Sequence, residues 1–331
     1  MNPRITRIRR LVQVACFGLL LYGAFIWTPH QIELFPRIEP GEPRTTLYAE
    51  DRILWVSGQQ SVIELYPPML ACRFTARGGL FKGCFLHFLS ENITWKTSLK
   101  ILLPHILLFV AVVFLFGRAW CGWVCPLGAM TDFMNGVRKL FGGAALRVPR
   151  SLNRFFGNLA QFLLIISLGI SALIVLPALG ASGVNDALYL VYCQICPARL
   201  AFPLLGGVNP CWYDTTNGIT IFMTIVGWLF LGFFFAGFLV PRLWCRVCAV
   251  GAFMSYFNRG ALFTLEKRVP RCSFCGTCER VCPLDIERVY RERERRIVTD
   301  ADCTLCLRCV EACPEKDCLE AKLVGLRVAR S

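Results

Sequence analysis

Four apolar runs interrupt the polar sequence. They cover residues 11–27, 99–117, 159–180 and 219–240. Each run is close to the ~20 residues that a helix needs to cross the hydrocarbon core of a bilayer. Four crossings return both ends of the chain to one side of the membrane. The pattern therefore predicts an α-helical polytopic membrane protein with about four transmembrane helices and with outer loops at 28–98 and 181–218.

Beyond residue 257 the pattern changes. The apolar runs stop, charge rises through stretches such as 288–296, and cysteines recur at tight spacing. Because so polar a segment cannot cross lipid, we expect a transmembrane domain at 1–257 and a soluble domain at 258–331. The first apolar run follows a basic start, as in a signal peptide. No small-residue cleavage site follows it, so we expect a retained anchor.

Composition excludes several classes of protein. Of the 331 residues, 55% are hydrophobic and only 18% are charged, which is unlike a soluble enzyme. An aromatic content of 13% excludes a disordered chain. The 19 cysteines do not indicate a secreted disulfide scaffold, because such scaffolds are small and lack several spans. The cysteines therefore need another explanation.

The formal charge of +14 is explained by orientation in the membrane. Arginines precede the first run at Arg4, Arg7, Arg9 and Arg10, and the segment 118–157 is also basic, whereas 181–218 holds only Arg199. Since basic residues concentrate on the cytoplasmic side, we expect both termini in the cytoplasm and the chain in a bacterial cytoplasmic (inner) membrane. No basic stripe is interleaved with aromatic residues, so the expected partner is membrane lipid and not nucleic acid.

The tail contains a doubled cysteine pattern, C-x2-C-x2-C-x3-C-P. This is the bacterial two-cluster ferredoxin pattern, in which the fourth cysteine of each run ligates the other cluster. The expected ligands are Cys272, Cys275, Cys278 and Cys313 for the first [4Fe-4S] cluster, and Cys303, Cys306, Cys309 and Cys282 for the second. The tail is thus predicted to be an α+β two-cluster ferredoxin-like domain.

Zinc is the competing explanation for the tail cysteines. It is satisfied by two C-x2-C pairs and needs no fourth cysteine followed by proline, so iron-sulfur clusters explain the pattern better. Cys318 is surplus to the eight ligands, and Cys16 lies inside the first apolar run. Both are expected to be packing residues.

A second motif follows two of the apolar runs. The sequence Arg-x-Trp-Cys begins at Arg118 after the second run and at Arg242 after the fourth, and each copy has a second cysteine and a Gly-Ala pair. The chain thus reads as two helical hairpins related by an internal repeat. The four cysteines are Cys121, Cys125, Cys245 and Cys248. If they meet near the pseudo-axis they would hold a further cluster or cycle between dithiol and disulfide; simple packing is the alternative.

Five more cysteines fall on or near the outer side: Cys72, Cys84, Cys193, Cys196 and Cys211. Four of them could ligate an outer cluster, and Cys193 and Cys196 form a C-x2-C-P unit that fits a redox disulfide. Structural disulfides explain them equally well in an oxidising compartment. A paired haem needs two facing intramembrane histidines, and only His105 lies within an apolar run, so haem is not expected. A proton-handling or quinone-contacting role for His105 stays open.

The combination resembles the membrane-bound polyferredoxin family of NapH-like and NosR C-terminal-like 4Fe-4S proteins. The resemblance rests on the cysteines of 121–126, 245–248 and the tail, and covers most of the chain from the second run onward. The family usually has C-x3-C-P at both inner units, whereas the second unit here is C-x2-C followed by Ala249. The resemblance implies an electron-transfer subunit, not a stand-alone enzyme, that takes electrons from quinol or exchanges them with an outer partner.

No dinucleotide fingerprint or P-loop occurs in the sequence, so the chain is expected to carry electrons. We expect a relay between a quinone/quinol pool or an outer redox partner and the cytoplasmic clusters, with a cytoplasmic electron carrier as a further partner. The alternative is an assembly or maturation factor that reduces a metal or thiol of an outer-face respiratory enzyme through Cys193 and Cys196.

Overall fold

The structure is a computed structural model that describes residues 4–26, 63–64, 68–71, 81–92, 99–174, 188, 191–205 and 218–331. Helices dominate these residues, and two small three-stranded sheets accompany them. Cys72 and Cys211 lie outside the described residues, so the predictions made for them remain predictions.

The described residues group into two compact units. The first combines Met1–Phe17, Val110–Gln161 and Ala236–Ser331, and the second combines Gly18–Phe109 and Phe162–Phe235. The first unit therefore contains the cysteine-rich tail together with both copies of the Arg-x-Trp-Cys motif.

The helices before the tail are α1 (Arg4–Ile26), α2 (Phe85–Asn92), α3 (Leu99–Phe116), α4 (Ala119–Trp123), α5 (Pro126–Leu140), α6 (Arg150–Ile174), α7 (Val191–Ile195), α8 (Ala198–Leu205), α9 (Gly218–Phe235), α10 (Leu243–Val247) and α11 (Ala249–Asn258). Each predicted apolar run overlaps one of the long helices. The helix that contains the third apolar run, α6, begins at Arg150 and not at residue 159, because the polar residues before the apolar run belong to the same helix.

Two stretches of the described chain are long and apolar enough to cross a membrane. They are Arg150–Leu173 and Gly218–Phe238, with mean hydropathy 1.8 and 2.2. Only 28% of each apolar window is buried by protein, whereas the core helix of a soluble protein is buried on most sides. These helices indicate a membrane protein. The apolar part of α3, Leu102–Phe116, is shorter, so the four-span arrangement remains a prediction.

The tail folds around a small antiparallel sheet. Its strands β4 (Phe263–Lys267), β5 (Leu319–Leu323) and β6 (Leu326–Arg330) lie in that order, with Phe263 opposite Leu323. Burial alternates along β4, as expected for a strand with one face on a core. Short helices α12 (Thr277–Arg280), α13 (Arg288–Arg291) and α14 (Arg308–Ala312) complete the α+β tail. The tail is a ferredoxin-like domain, as the cysteine pattern predicted.

The second unit contains a smaller sheet and an aromatic cluster. Strands β1 (Ile63–Glu64) and β2 (Met69–Ala71) flank β3 (Phe81–Cys84). The Phe85 ring stacks on Phe109 at 3.6 Å between centroids, and His105 meets the Phe88 ring edge-on at 4.8 Å. His105 is therefore a buried member of this aromatic packing.

Candidate functional site

Two loops of the tail, each carrying three cysteines, share an uncommon backbone shape. The residues with positive φ are Phe274 (55°) and Gly276 (72°) in the first loop and Leu305 (45°) and Leu307 (58°) in the second. They occupy the same two places in each C-x2-C-x2-C run. Left-handed residues in such loops turn successive backbone N–H groups toward one point, which forms an anion-binding nest typical of iron-sulfur sites. Each loop is therefore shaped to surround a negatively charged group.

The first pocket of the tail is surrounded by cysteines from both runs. They are Cys272, Cys275, Cys278 and Cys313, with Cys318 also on the wall. Three cysteines of the first run and one of the second therefore line the same pocket.

The second pocket is surrounded by Cys282, Cys303, Cys306 and Cys309. As in the first pocket, three cysteines come from one run and the fourth from the other. Among the described residues, no three His, Cys, Asp or Glu side chains converge as a single metal ion would require. The thiolate chemistry of the cysteines and the nests of the two loops fit a [4Fe-4S] cluster.

The two pockets differ in their surroundings. Cys275 is exposed, and its hydrogen bond with the Thr277 hydroxyl lowers the pKa of its thiol. Cys306 is buried, which acts to raise its pKa, but the charges of Arg9, Arg308 and Arg242 outweigh burial and lower that pKa. One site thus faces solvent, and the other lies against buried cations.

Cys318 occupies the place expected of a packed thiol. It is buried beside Cys272 and Cys313, and this burial, with the two neighbouring thiols, raises the pKa of Cys318 to about 12. A group with so high a pKa is a neutral thiol near neutral pH. It lines the first pocket without being needed to complete the set of four ligands.

The two Arg-x-Trp-Cys copies, here called the inner-face motifs (118–125 and 242–248), bind each other crosswise. Arg118 donates from its Nη2 to the Cys245 carbonyl at 3.1 Å, and Arg242 donates from its Nη1 to the Cys121 carbonyl at 3.2 Å. Each arginine also pairs with a carboxylate, Asp302 or Asp132. The two copies of the sequence repeat therefore make equivalent contacts, each arginine binding the other copy. These contacts bring the two cysteine pairs together.

The four thiols of the inner-face motifs are largely buried and influence one another. Burial raises the pKa of Cys121 to about 12, and the neighbouring thiols Cys245 and Cys248 add to that rise. The Cys121 Sγ atom also lies 3.8 Å from the sulfur of Met254, in α11 beyond the second motif. The cysteine thiols of the two motifs thus lie close to one another.

The shorter spacing of the second motif does not displace its second cysteine. Cys125 is the N-cap of α5 and Cys248 is the N-cap of α11, with φ and ψ of −57° and 122° and of −69° and 119°. Each cysteine carbonyl accepts the fourth residue's N–H, from Ala129 at 3.0 Å and from Ala252 at 2.9 Å. The extra residue of the first motif, Val124, is absorbed at the end of the preceding short helix. The two second cysteines are therefore equivalent in structure.

Both inner-face motifs touch the loops of the second pocket. Trp123 donates from its indole N–H to the Leu305 carbonyl at 3.0 Å, and Arg246 donates to the carbonyls of Pro283 and Leu284 at 3.1 Å each. A Cβ added at Gly122 would collide with the Thr304 carbonyl oxygen, so glycine permits this close approach. These contacts place both motifs directly against the loops of the second pocket.

A buried charge network beside the second pocket could not be foreseen from local patterns. Asp132 on α5 pairs with Arg242 at 2.6 Å, Arg308 at 3.1 Å and Arg9 at 3.5 Å. Burial acts to raise the pKa of Asp132, but the three arginines outweigh it and lower that pKa. Removing one member of a buried ion pair typically costs about 3–5 kcal/mol. Arg9, expected to act as an orientation charge, is instead fully buried.

The outer cysteines in the described residues belong to the second compact unit. Cys84 ends β3, Cys193 lies in α7, and Cys196 follows that helix directly. With Cys72 and Cys211 outside the described residues, an outer cluster and outer disulfides both remain predictions.

Comparison with known families identifies the class of protein. A family described as "4Fe-4S binding domain" matches residues 103–143 and 220–276, and one described as "4Fe-4S dicluster domain" matches 265–314. The first match contains both inner-face motifs, and the second contains all eight pocket cysteines. The chain is therefore a 4Fe-4S protein. No solved structure matches it significantly.

Similar proteins then narrow the class. The uncharacterized protein MJ0750 of Methanocaldococcus jannaschii is 28% identical over 71% of this chain and 84% of its own length. The ferredoxin-type protein NapH of Haemophilus influenzae is 29% identical over 64% of each chain. NirI of Paracoccus denitrificans is 28% identical over 88% of this chain but only 36% of its own length. These matches support the resemblance to a membrane polyferredoxin-like family.

Proposed function

We propose that the protein relays electrons between a quinol pool, or an outer redox partner, and two cytoplasmic [4Fe-4S] clusters. The observation that carries this proposal is the contact between the inner-face motifs and the second pocket. Trp123 and Arg246 join the motifs to the loops of that pocket through hydrogen bonds to Leu305 and Leu284. The cysteine thiols of the inner-face motifs thus lie beside a pocket that is lined by four further cysteines.

We assign four cysteines to each cluster. Cys272, Cys275, Cys278 and Cys313 would hold one, and Cys303, Cys306, Cys309 and Cys282 would hold the other. Bound clusters supply one-electron exchange over a wide range of potentials. The protein orients the thiolates, offers backbone N–H groups from the two nests, and excludes water from the second pocket more completely than from the first.

We propose that the inner-face motifs are the intermediate electron carrier between the donor and the tail clusters. Their four thiols are buried together, so they suit either a further cluster or a dithiol that is oxidised to a disulfide. In the second case, closing the S–S bond releases two electrons and two protons. The crossed arginines Arg118 and Arg242 hold both cysteine pairs in place for either chemistry.

The first pocket is the proposed contact with a cytoplasmic carrier. Its ligand Cys275 is exposed, the Cys275 carbonyl accepts a hydrogen bond from Arg280, and the exposed Arg293 guanidinium lies 3.3 Å from the centre of the Phe274 ring. Exposed arginines around a redox centre attract an acidic partner and speed its encounter. An acidic soluble electron carrier therefore fits this face.

The proposed location is a bacterial inner membrane, with several spans and both termini in the cytoplasm. The arginine-rich start and the basic segment 118–157 support this orientation through the positive-inside rule. In this arrangement the inner-face motifs and the tail share the cytoplasmic side, and Cys193 and Cys196 face out.

Quinol-dependent reduction tests the relay. The purified holoprotein is placed in liposomes with a reduced quinol, and the visible absorbance of the clusters is followed under anaerobic conditions. We expect the absorbance to bleach, and to do so equally in the variant Cys193→Ser/Cys196→Ser. Clusters that respond to dithionite but not to quinol would contradict the quinol relay. If their reduction by dithionite also converts Cys193 and Cys196 to thiols, the result favours the maturation factor.

A further inference from the structure

The buried network around Asp132 carries more positive than negative charge. It is called here the Asp132 network and consists of Arg9, Asp132, Arg242 and Arg308. All three guanidinium groups approach the one carboxylate within 3.5 Å. Gln13 adds a neutral hydrogen bond to the Asp132 Oδ2 atom at 2.9 Å. One carboxylate therefore faces three cations in a region where water provides little screening.

The neighbouring carboxylates are already engaged with other groups. Asp302 pairs with Arg118, and Asp285 pairs with Arg246. Glu311 accepts hydrogen bonds from the backbone N–H and hydroxyl of Thr6, and Asp300 accepts one from the backbone N–H of Asp302. The excess positive charge instead lies next to the second pocket. Arg9 donates to the Cys306 carbonyl at 3.4 Å, and Arg308 lies between Cys306 and Cys309 in sequence. A negatively charged group held by these cysteines would be offset by the network.

The first pocket has a weaker counterpart. Its buried cation is Lys267, whose ammonium donates to the carbonyls of Val289, Tyr290 and Glu292 at 2.9–3.1 Å. The exposed Cys275 leaves that pocket open to water. Fixed charge therefore acts more strongly on the second pocket than on the first.

We propose that the Asp132 network raises the reduction potential of the cluster held by Cys282, Cys303, Cys306 and Cys309. This proposal rests on the proposed function, because it needs a cluster at that site. Reduction adds one electron, supplied by the quinol or outer donor, and breaks no bond to a cysteine. The cluster becomes more negative, and net charge nearby is one of the factors that set such potentials. The surplus arginines stabilise the reduced form.

The Asp132 network also lies on the proposed electron path, between the inner-face motifs and the cluster whose reduction potential it raises. Arg242 pairs with Asp132 and donates to the Cys121 carbonyl, so one side chain spans the inner-face motif and the network. Electrons that arrive at the motifs thus meet first the cluster whose reduced form is stabilised. Transfer from the motifs toward the tail is thereby favoured.

Charge substitutions test the proposal through the midpoint potential. Arg308 is the least buried of the three arginines, with 20% of its side chain exposed, so R308Q is the primary variant and R308K its charge-conserving control. Redox titration of the purified holoprotein, followed by electron paramagnetic resonance, measures both clusters separately. We expect R308Q to lower the midpoint of the cluster held by Cys282, Cys303, Cys306 and Cys309, and R308K to leave that midpoint near the wild-type value. The cluster in the first pocket should keep its midpoint in both variants.

A variant of opposite sign sharpens the test. D132N removes the negative charge of the network and is expected to raise the midpoint of the same cluster. If D132N does not accumulate, R308Q and R308K decide alone. An unchanged midpoint in R308Q, or an equal shift of both clusters, overturns the proposal and leaves the relay untouched. Wild-type protein without cluster signals would contradict the proposed function itself.

Discussion

Cys121→Ser is expected to abolish reduction of the tail clusters by the membrane-side donor. The Cys121 thiol is buried among the thiols of both inner-face motifs, and its neighbour Gly122 lies against the second pocket. A serine hydroxyl can neither form a disulfide nor replace a thiolate well, so donor-driven reduction should fall by about 100-fold or more. Both tail clusters should remain assembled and reducible by dithionite.

Stopped-flow absorbance with a quinol donor and with dithionite measures the two routes separately. Cys16→Ser is the matched control, because it removes a half-buried cysteine of α1 outside the inner-face motifs and should keep the wild-type rate. Cys125, Cys245 and Cys248 variants should behave as Cys121→Ser does. If all four variants keep normal donor-driven reduction, electrons do not pass through the inner-face motifs.

Cys282→Ser is expected to destroy the cluster whose other ligands lie at 303–309, and not the one beside it in sequence. Cys282 lines the second pocket with Cys303, Cys306 and Cys309, and a four-iron cluster needs all four cage corners. The variant should lose about half of its iron and one of two paramagnetic signals.

Cys318→Ser is the control for this experiment. Cys318 lines the first pocket as a neutral buried thiol, so its replacement should leave both clusters in place. Iron analysis and paramagnetic resonance of the reduced proteins measure the outcome. Loss of the cluster at 272–278 in Cys282→Ser would show that each run closes its own cage.

The grouping of the tail cysteines could be predicted from the sequence because the spacing within each run is local. Each run places three cysteines within one tight loop, and left-handed residues such as Phe274 and Leu305 give both loops the same shape. The inner-face motifs were also visible as a repeat. Their crossed contacts, from Arg118 to Cys245 and from Arg242 to Cys121, were not.

Long-range polar contacts explain what the sequence could not reveal. Asp132 binds Arg9, Arg242 and Arg308, residues distant from it along the chain. The periodicity of apolar residues along the chain cannot predict such ion-pair partners. The counting of basic residues likewise treated Arg9 as an orientation charge, although tertiary packing buries it completely. The distribution of basic residues predicts which side of the membrane a segment faces, but it does not predict which of those residues are exposed to solvent.

The spacing of the second inner-face motif shows the same limit. Its C-x2-C spacing and missing proline placed the equivalence of Cys125 and Cys248 in doubt. The structure makes both residues N-caps of the following helix with nearly the same backbone angles. Both short helices span five residues after the arginine, and the second motif lacks only the residue between the end of that helix and the second cysteine. The sequence pattern therefore changes while the capping geometry stays the same.

Iron and acid-labile sulfide analysis of anaerobically purified protein tests the central claim most directly. Two tail clusters require about eight iron and about eight sulfide atoms per chain, and more if the four inner-face thiols hold a further cluster. The two cysteine-lined pockets predict this content. Protein with iron near zero and with bound zinc would contradict the account.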